Sequence, residues 1–288
     1  MRNFWKYFIG GAVSGCAIAY YATHIEPTWL QVKKVKISIP GLPKRFDGFK
    51  IVQLSDFHYQ HGKTLPLHYL QKIVDIVTDI QPDMLALTGD FLNNLENVAQ
   101  DMGFLASYLK KIDAPFGKYA VLGNHDYAFY SRGFHPTPDN AMGEMVSIMK
   151  KAGVTVLRNQ FKKIEIESDF IQLVGVDDMD AGFFDAHAAM NGVNPNKNVI
   201  VLSHNPDSIS HFWRRYRVDL MLCGHTHGSQ VKIPFLRVPR SVRQWWRNRG
   251  LHYEEGIFMY VNKGVGWGRI KIRLNARPEI TKIVLKRI

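Results

Sequence analysis

Residues 51–58 read IVQLSDFH: an apolar run, Ser55, then Asp56 and His58 one residue apart. A short run rich in Val, Leu and Ile that stops at a turn residue reads as a buried strand. The pattern recurs four more times. MLALT (84–88) leads into Gly89-Asp90, YAVL (119–122) into Gly123-Asn124-His125-Asp126, and VIVL (199–202) into Ser203-His204-Asn205. LMLC (220–223) leads into Gly224-His225-Thr226-His227-Gly228. Helical periodicity separates these runs over Leu67 to Ile80, which Pro82 ends, and over Asn97 to Lys111 and Met142 to Lys151, with a shorter helix near Ser208 to Trp213. VTVL and IQLVGV add strands in the middle, and QVKI, IFMYVN and ITKIVL add strands after the last His motif. Strands alternating with helices and closing in a run of strands predict an α/β sandwich, not one open sheet. Ligands collect outside the carboxyl ends of such strands. Five strands are therefore expected to deliver Asp, His and Asn side chains to one rim.

Taken singly the fragments carry little, because Asp-x-His arises by chance and Gly-Asp after a strand is usually a turn. Their conjunction, in one order and each at a strand end, points to metal. Two cations held close together need a bridging oxygen besides terminal ligands, and the Asp90 carboxylate suits that place. Imidazoles favour Mn, Fe or Zn over Mg or Ca. Asn124 offers a neutral carbonyl oxygen, which leaves the site positive enough to polarise a phosphoryl group.

Asp-x-His, Gly-Asp, Gly-Asn-His-Asp, a lone His and Gly-His-x-His, in this order, resemble the signature of the calcineurin-like metallophosphoesterases over roughly residues 50–228. The resemblance implies a four-layer αββα sandwich with a two-metal site at its edge. It implies that Asp56, His58, Asp90 and His227 hold one ion, and Asp90, Asn124, His204 and His225 the other. His125 is then the catalytic residue that protonates the leaving oxygen, and Asp126 orients it by hydrogen bonding. The implied cofactors are two divalent cations, Mn foremost, with Fe, Zn or Co open. The implied reaction is in-line attack of metal-activated water on a phosphoric ester or pyrophosphate. The other seven histidines read as surface or core residues, His61 being the one in doubt. Asp177 and Asp178 read as a strand-end turn, with a supporting place behind the ligands as the alternative.

The ends of the chain bear on substrate. Between Lys6 and His24 lie 17 uncharged residues, flanked by Phe4, Trp5, Tyr7, Tyr20 and Tyr21. This segment reads as an N-terminal membrane anchor over residues 1–25, followed by an extended lead-in over 26–49 and a catalytic domain over 50–288. Ala17-Ile18-Ala19 also fits a cleavage site, and Lys and Arg on both sides leave orientation open. The two cysteines, Cys16 and Cys223, are not placed for a structural disulfide. Of the net charge of +12, the last 60 residues carry an excess of eleven, fourteen Lys and Arg against three Glu. Such a field favours anionic partners. Pro234 to Tyr253 interleaves Arg237, Arg240, Arg243, Arg247 and Arg249 with Phe235, Leu236, Trp245 and Trp246, which suits a membrane interface. Stacking on nucleic-acid bases and a cap packed on the domain are the alternatives.

Together with the C-terminal NKGVGWG…RPEIT stretch, this layout resembles the membrane-associated bacterial branch of the family, which includes the UDP-2,3-diacylglucosamine hydrolase of lipid A synthesis. The expected substrate is a lipid-linked phosphate ester cleaved at the cytoplasmic face of the inner membrane. Another phosphodiester or nucleotide is the second reading, and a non-catalytic membrane scaffold a remote third. Nucleic acid is not expected, since a membrane tether serves a nuclease poorly.

Overall fold

The computed structural model describes residues 12–130, 133–134, 140–233, 246–268 and 270–288. Its strands are β1 (Gln31–Ile39), β2 (Lys50–Leu54), β3 (Met84–Thr88), β4 (Lys118–Val121), β5 (Phe129–Tyr130), β6 (Gly133–Phe134) and β7 (Val154–Val156). They continue as β8 (Gln160–Ile166), β9 (Asp169–Gly175), β10 (Val199–Leu202), β11 (Leu220–Cys223), β12 (Gly250–Glu254), β13 (Ile257–Val261) and β14 (Glu279–Arg287). Two six-stranded sheets result, in the orders β1-β14-β2-β3-β4-β7 and β12-β13-β11-β10-β9-β8.

The apolar runs are continuous because both faces of each sheet are covered. In β3, Met84 and Ala86 face the second sheet while Leu85 and Leu87 face helices. In β10 and β11, Ile200, Leu202, Leu220 and Leu222 enter the layer between the sheets, and Val199, Val201, Met221 and Cys223 the layer outside. Three apolar layers thus separate four layers of structure. The outer face of the first sheet is covered by α1 (Leu67–Ile80), α2 (Val98–Lys110) and α3 (Ala141–Lys151). In α1 the buried side chains Tyr69, Leu70, Ile73, Val74 and Val77 form one stripe, and Gln81 closes the helix in the left-handed region just before Pro82. The second sheet is covered by the short α4 (Ala186–Met190) and by a 3-10 turn, Pro206–His211, which takes the place of the helix expected at 208–213.

Strands β2, β3, β4 and β7 run parallel, as do β9, β10, β11 and β13, so their carboxyl ends meet at one edge. Gln53 pins that edge: its amide donates to Thr88 Oγ1 (3.0 Å) in its own sheet and to the Cys223 carbonyl (2.9 Å) in the other. β1, within the segment read as a lead-in, pairs in parallel with β14 from Gln31↔Glu279 to Ile39↔Arg287. Val35, Ile37 and Ile39 on alternate positions bury its inner face.

Some expectations need correction. QVKI forms only a single bridge, Val231 to Leu274, because its own first residue, Gln230, and Ser229 before it take positive φ, which breaks the extended backbone a strand needs. Residues 12–20 are helical and lead into a π-turn, Tyr21–Ile25, and a 3-10 turn, Glu26–Thr28. Among the described residues no helix is long and apolar enough to cross a membrane, and the first eleven residues of the expected anchor lie outside them. Both cysteines are free. In the basic, Trp-containing segment, residues 234–245 lie outside the described residues. Arg247 is buried there, its guanidinium on Glu254 and over the Trp213 ring, so it holds the fold together and offers nothing to a ligand.

Candidate dimetal centre

Asp56 and His58 follow β2, Asp90 follows β3, Asn124 to Asp126 follow β4, His204 follows β10, and His225 and His227 follow β11. The chain must turn sharply at these strand ends to bring side chains inward. Asp56, His58, Asp90, His225 and His227 all adopt left-handed backbone, with φ between 45° and 70°. That region is disfavoured for residues bearing a Cβ and persists only where surroundings enforce it. One enforcing contact is Gly89, at φ +87°, where a Cβ would come within 2.6 Å of Gly123 N and 2.7 Å of His204 Nδ1.

Two ligand groups converge. Asp56, His58, Asp90 and His227 are buried, and each offers a nitrogen or oxygen within 4.8 Å of the others. His58 Nε2 and His227 Nε2 are 2.9 Å apart, Asp90 Oδ2 is 3.3 Å from His58 Nε2, and Asp56 Oδ1 is 3.4 Å from His227 Nε2. Beside them, His204 Nε2 is 3.3 Å from the same Asp90 Oδ2, and His225 Nδ1 is 3.2 Å from His204 Nε2 and 3.1 Å from Asn124 Oδ1. A single carboxylate oxygen therefore lies between the two groups.

Hydrogen bonds behind these atoms decide which of them face inward. His204 Nδ1 donates to the Thr88 carbonyl (2.7 Å), which turns Nε2 toward Asp90. Burial opposes protonation of His204, but Asp90 outweighs it and holds its pKa well above the usual range, so a bound cation would replace the Nε2 proton. The Asn124 amide donates to the Phe129 carbonyl (2.6 Å), so its oxygen faces His225. Burial, reinforced by the neighbouring His125, pushes the His58 pKa down to about 3, and burial together with His58 holds His227 well below its usual range. Both imidazoles stay neutral, as metal ligands must be. Burial opposes ionisation of Asp90, but His204 and His125 outweigh it and hold its carboxyl well below the usual carboxylate range. Two neutral imidazole nitrogens 2.9 Å apart beside an ionised carboxylate are the arrangement that a divalent cation satisfies, so the group of Asp56, His58, Asp90 and His227 fits a metal ion.

His125 is half-buried at the rim. Its backbone N–H donates to Asp90 Oδ1 (3.0 Å), and its Nδ1 donates to the Asn93 carbonyl (3.1 Å), which leaves Nε2 as the atom free for proton transfer. Its ring packs edge-on to His58 and against Tyr130. The expected bond from Asp126 to His125 is not how the two are placed. Asp126 is fully buried and accepts from the backbone N–H of Asp90 (2.9 Å), Gly123 (2.9 Å) and Phe91 (2.8 Å). It ties the β3 loop to the β4 loop, and Asn93 orients His125 in its place.

Other supporting residues escape the sequence motifs. The Asp180 carboxylate lies 3.5 Å from His225 Nε2 and accepts from Asn205, whereas Asp177 pairs with Arg158 (2.8 Å) and the Tyr127 hydroxyl. His61 stacks on Phe104 and bonds Tyr59, apart from the ligand groups. Arg273 is a fully buried arginine whose guanidinium donates to the carbonyls of Lys263 (2.8 Å), Gly264 (3.3 Å), Ala276 (2.6 Å) and Gly266, and approaches His227 Nδ1 at 3.4 Å. The loop it holds lies against the first ligand strand: Val265 and Gly266 N–H donate to the carbonyls of Ser55 and Asp56 (both 2.9 Å). At Gly264, φ +77°, a Cβ would sit 2.7 Å from that of Asp56. Replacing Arg273 by Met strands the carbonyls of Lys263, Gly266 and Ala276 in a dry interior, while that of Gly264 keeps the Glu279 N–H (3.0 Å), and is expected to cost about 3 kcal/mol or more. Urea unfolding would show the midpoint falling, and an unchanged midpoint would contradict this account.

A sandwich of two mixed sheets with Asp, His and Asn converging at its edge defines a metal-dependent phosphoesterase. The family model Calcineurin-like phosphoesterase matches residues 49–229, and the chain belongs to that family. It is a hydrolase acting on phosphoric ester bonds. The chain is 30% identical to the uncharacterized metallophosphoesterase YkuE of Bacillus subtilis, over 99% of this chain and 97% of that one. It is 30% identical to the UDP-2,3-diacylglucosamine pyrophosphatase LpxG of Chlamydia muridarum, over 95% and 96%. It is also 31% identical to the phosphodiesterase YaeI of Escherichia coli, over 92% of each.

Proposed function

We propose that this chain hydrolyses the pyrophosphate bond of UDP-2,3-diacylglucosamine at a bacterial inner membrane, on the cytoplasmic face, releasing UMP and an acylated sugar phosphate. The observation that carries the reading is similarity to the Chlamydia muridarum pyrophosphatase over 95% of this chain, extending beyond residues 49–229 into both ends. Those ends are where substrates of one chemistry would be told apart. A second reading, hydrolysis of a different phosphodiester, is favoured by the equal similarity to the Escherichia coli phosphodiesterase.

Asp56, His58, Asp90 and His227 would hold one divalent cation and Asp90, Asn124, His204 and His225 the other, with Mn the first choice and Fe, Zn or Co open. When bound, such a pair lowers the pKa of water and neutralises charge on the phosphoryl oxygens. The chain supplies the rest. Thr88 and Phe129 fix which atoms of His204 and Asn124 face the ligand group. His125 Nε2 donates a proton to the leaving oxygen, while Asn93 holds the other side of its ring. Asp126 keeps the loops carrying Asp90 and His125 in register.

Purified protein supplied with Mn²⁺ and UDP-2,3-diacylglucosamine is expected to release UMP. No UMP alongside vigorous cleavage of bis(p-nitrophenyl) phosphate would eliminate this substrate and leave the second reading. A reporter fused after Ile288 is expected to read the cytoplasmic side, and an outside reading would also defeat the UDP-sugar assignment.

A further inference from the structure

We propose that the trough between the edge strands β1 and β12 docks the phosphate head groups of an anionic bilayer. The proposal deepens the membrane-surface reading above and rests on it. Where the two sheets splay apart, the trough encloses about 680 Å³ and is lined by Lys33, Lys34 and Lys36 of β1, with Arg249, Lys263 and Glu279.

Its one carboxylate is already engaged. Glu279 accepts from the Tyr260 hydroxyl (2.6 Å), Thr281 Oγ1 (3.0 Å) and Gln31 Nε2 (3.1 Å), and pairs with Lys263 Nζ at 3.0 Å. Lys33, Lys34, Lys36 and Arg249 make no ion pair with a carboxylate among the described residues. Four uncompensated cations cluster at this edge, Lys33 on the face of Val35 and Lys34 and Lys36 on the other face of the same edge strand, and fit a surface bearing many phosphates.

The rim is amphipathic as well as basic. Leu251 (45%) and Tyr253 (64%) on β12 are exposed, as are Trp29 (49%) and Val32 (39%) where the chain enters β1. Arg277 lies 4.0 Å above the Trp29 ring. Apolar and aromatic side chains interleaved with Lys and Arg suit head-group depth, whereas a free nucleic acid gives Val32 and Leu251 nothing to bury against. The chain reaches the trough from residues 12–25, where Val13, Ile18, Tyr20 and Ile25 are also exposed.

The trough runs up to the metal edge. A Cβ on Gly228, next to His227, would meet Lys263 Cγ at 2.8 Å and Arg249 Cδ at 3.6 Å. A bilayer docked on these cations therefore lies beside the ligands, within reach of a lipid-linked phosphate.

The test is flotation of the full chain with phosphatidylglycerol-containing vesicles and with pure phosphatidylcholine vesicles. The variant is Lys33→Glu/Lys34→Glu/Lys36→Glu, with Lys33→Gln/Lys34→Gln/Lys36→Gln as the milder set. A basic residue at an anionic surface is worth about five-fold in partitioning, so the three lysines together account for on the order of 100-fold of the preference for phosphatidylglycerol. That preference is expected to shrink with added salt and to collapse in both variants, while bis(p-nitrophenyl) phosphate hydrolysis stays at the wild-type level. Equal binding to both vesicle types by the wild type would overturn the proposal, and so would an undiminished preference in the folded, active variants. Loss of oligonucleotide binding in the variants with vesicle preference intact would pass the trough to nucleic acid and overturn it too. Failure of UMP release with the vesicle preference intact removes only the substrate assignment, so the two failures are distinguishable.

Discussion

Replacing His125 by Ala is expected to lower turnover by about 10²- to 10⁴-fold while both cations remain bound. The geometry separates the two properties. His125 gives no side-chain atom to the group formed by Asp56, His58, Asp90 and His227, and its contact with Asp90 is made by its backbone N–H, which Ala retains. What the substitution removes is an imidazole fixed through Nδ1 on the Asn93 carbonyl, with Nε2 left to move a proton. Steady-state hydrolysis of bis(p-nitrophenyl) phosphate, with metal content measured on the same preparation, checks it. A scaffold that had kept the fold without the chemistry would show no hydrolysis to lose. Unchanged turnover would remove His125 from the reaction, and lost metal would make it structural.

Asp90→Asn is expected to act differently, losing metal and activity together, with turnover falling by about 10³-fold or more. Asp90 Oδ2 is 3.3 Å from both His58 Nε2 and His204 Nε2, so one oxygen serves both ligand groups. Asn keeps the shape and an oxygen that can accept the His125 backbone N–H. It removes the negative charge that two cations bound there would share. Metal analysis after dialysis against a weak chelator, compared with wild type, reads the effect. Full metal occupancy with normal turnover would show that no shared carboxylate is needed.

Much of this architecture is legible in residue order because both faces of the central strands are buried. MLALT, VIVL and LMLC must be apolar throughout, and each must stop where a polar loop begins. The ligands were visible for the same reason: Asp, His and Asn at the ends of such strands have no packing role to explain them. The strands that escaped are those without that burden. β8 exposes Lys162, Lys163 and Glu165 and fully buries only Ile164, so its sequence carries too short an apolar alternation to stand out. QVKI carries strand-like residues but has no sheet beside it.

The supporting contacts were hidden for a further reason. Asp126 acts on backbone N–H groups, as Asn93 acts through its own carbonyl, and neither contact leaves a residue-type signature. Asp180 lies two residues beyond the Asp177-Asp178 pair, and only the fold shows which carboxylate reaches His225. For Arg273 one sequence signal did exist, an arginine between the glycine-rich VGWG and the RPEIT stretch. Its burial under His227 follows from a loop path that spacing does not reveal.

Low-temperature EPR of the full chain loaded with Mn²⁺ bears most directly on the proposed two-cation site. Two ions sharing Asp90 are expected to bind per chain and to give an exchange-coupled spectrum, which Asp90→Asn abolishes. One bound ion, or two with the uncoupled six-line signal of isolated Mn²⁺, would contradict a centre built around that shared carboxylate.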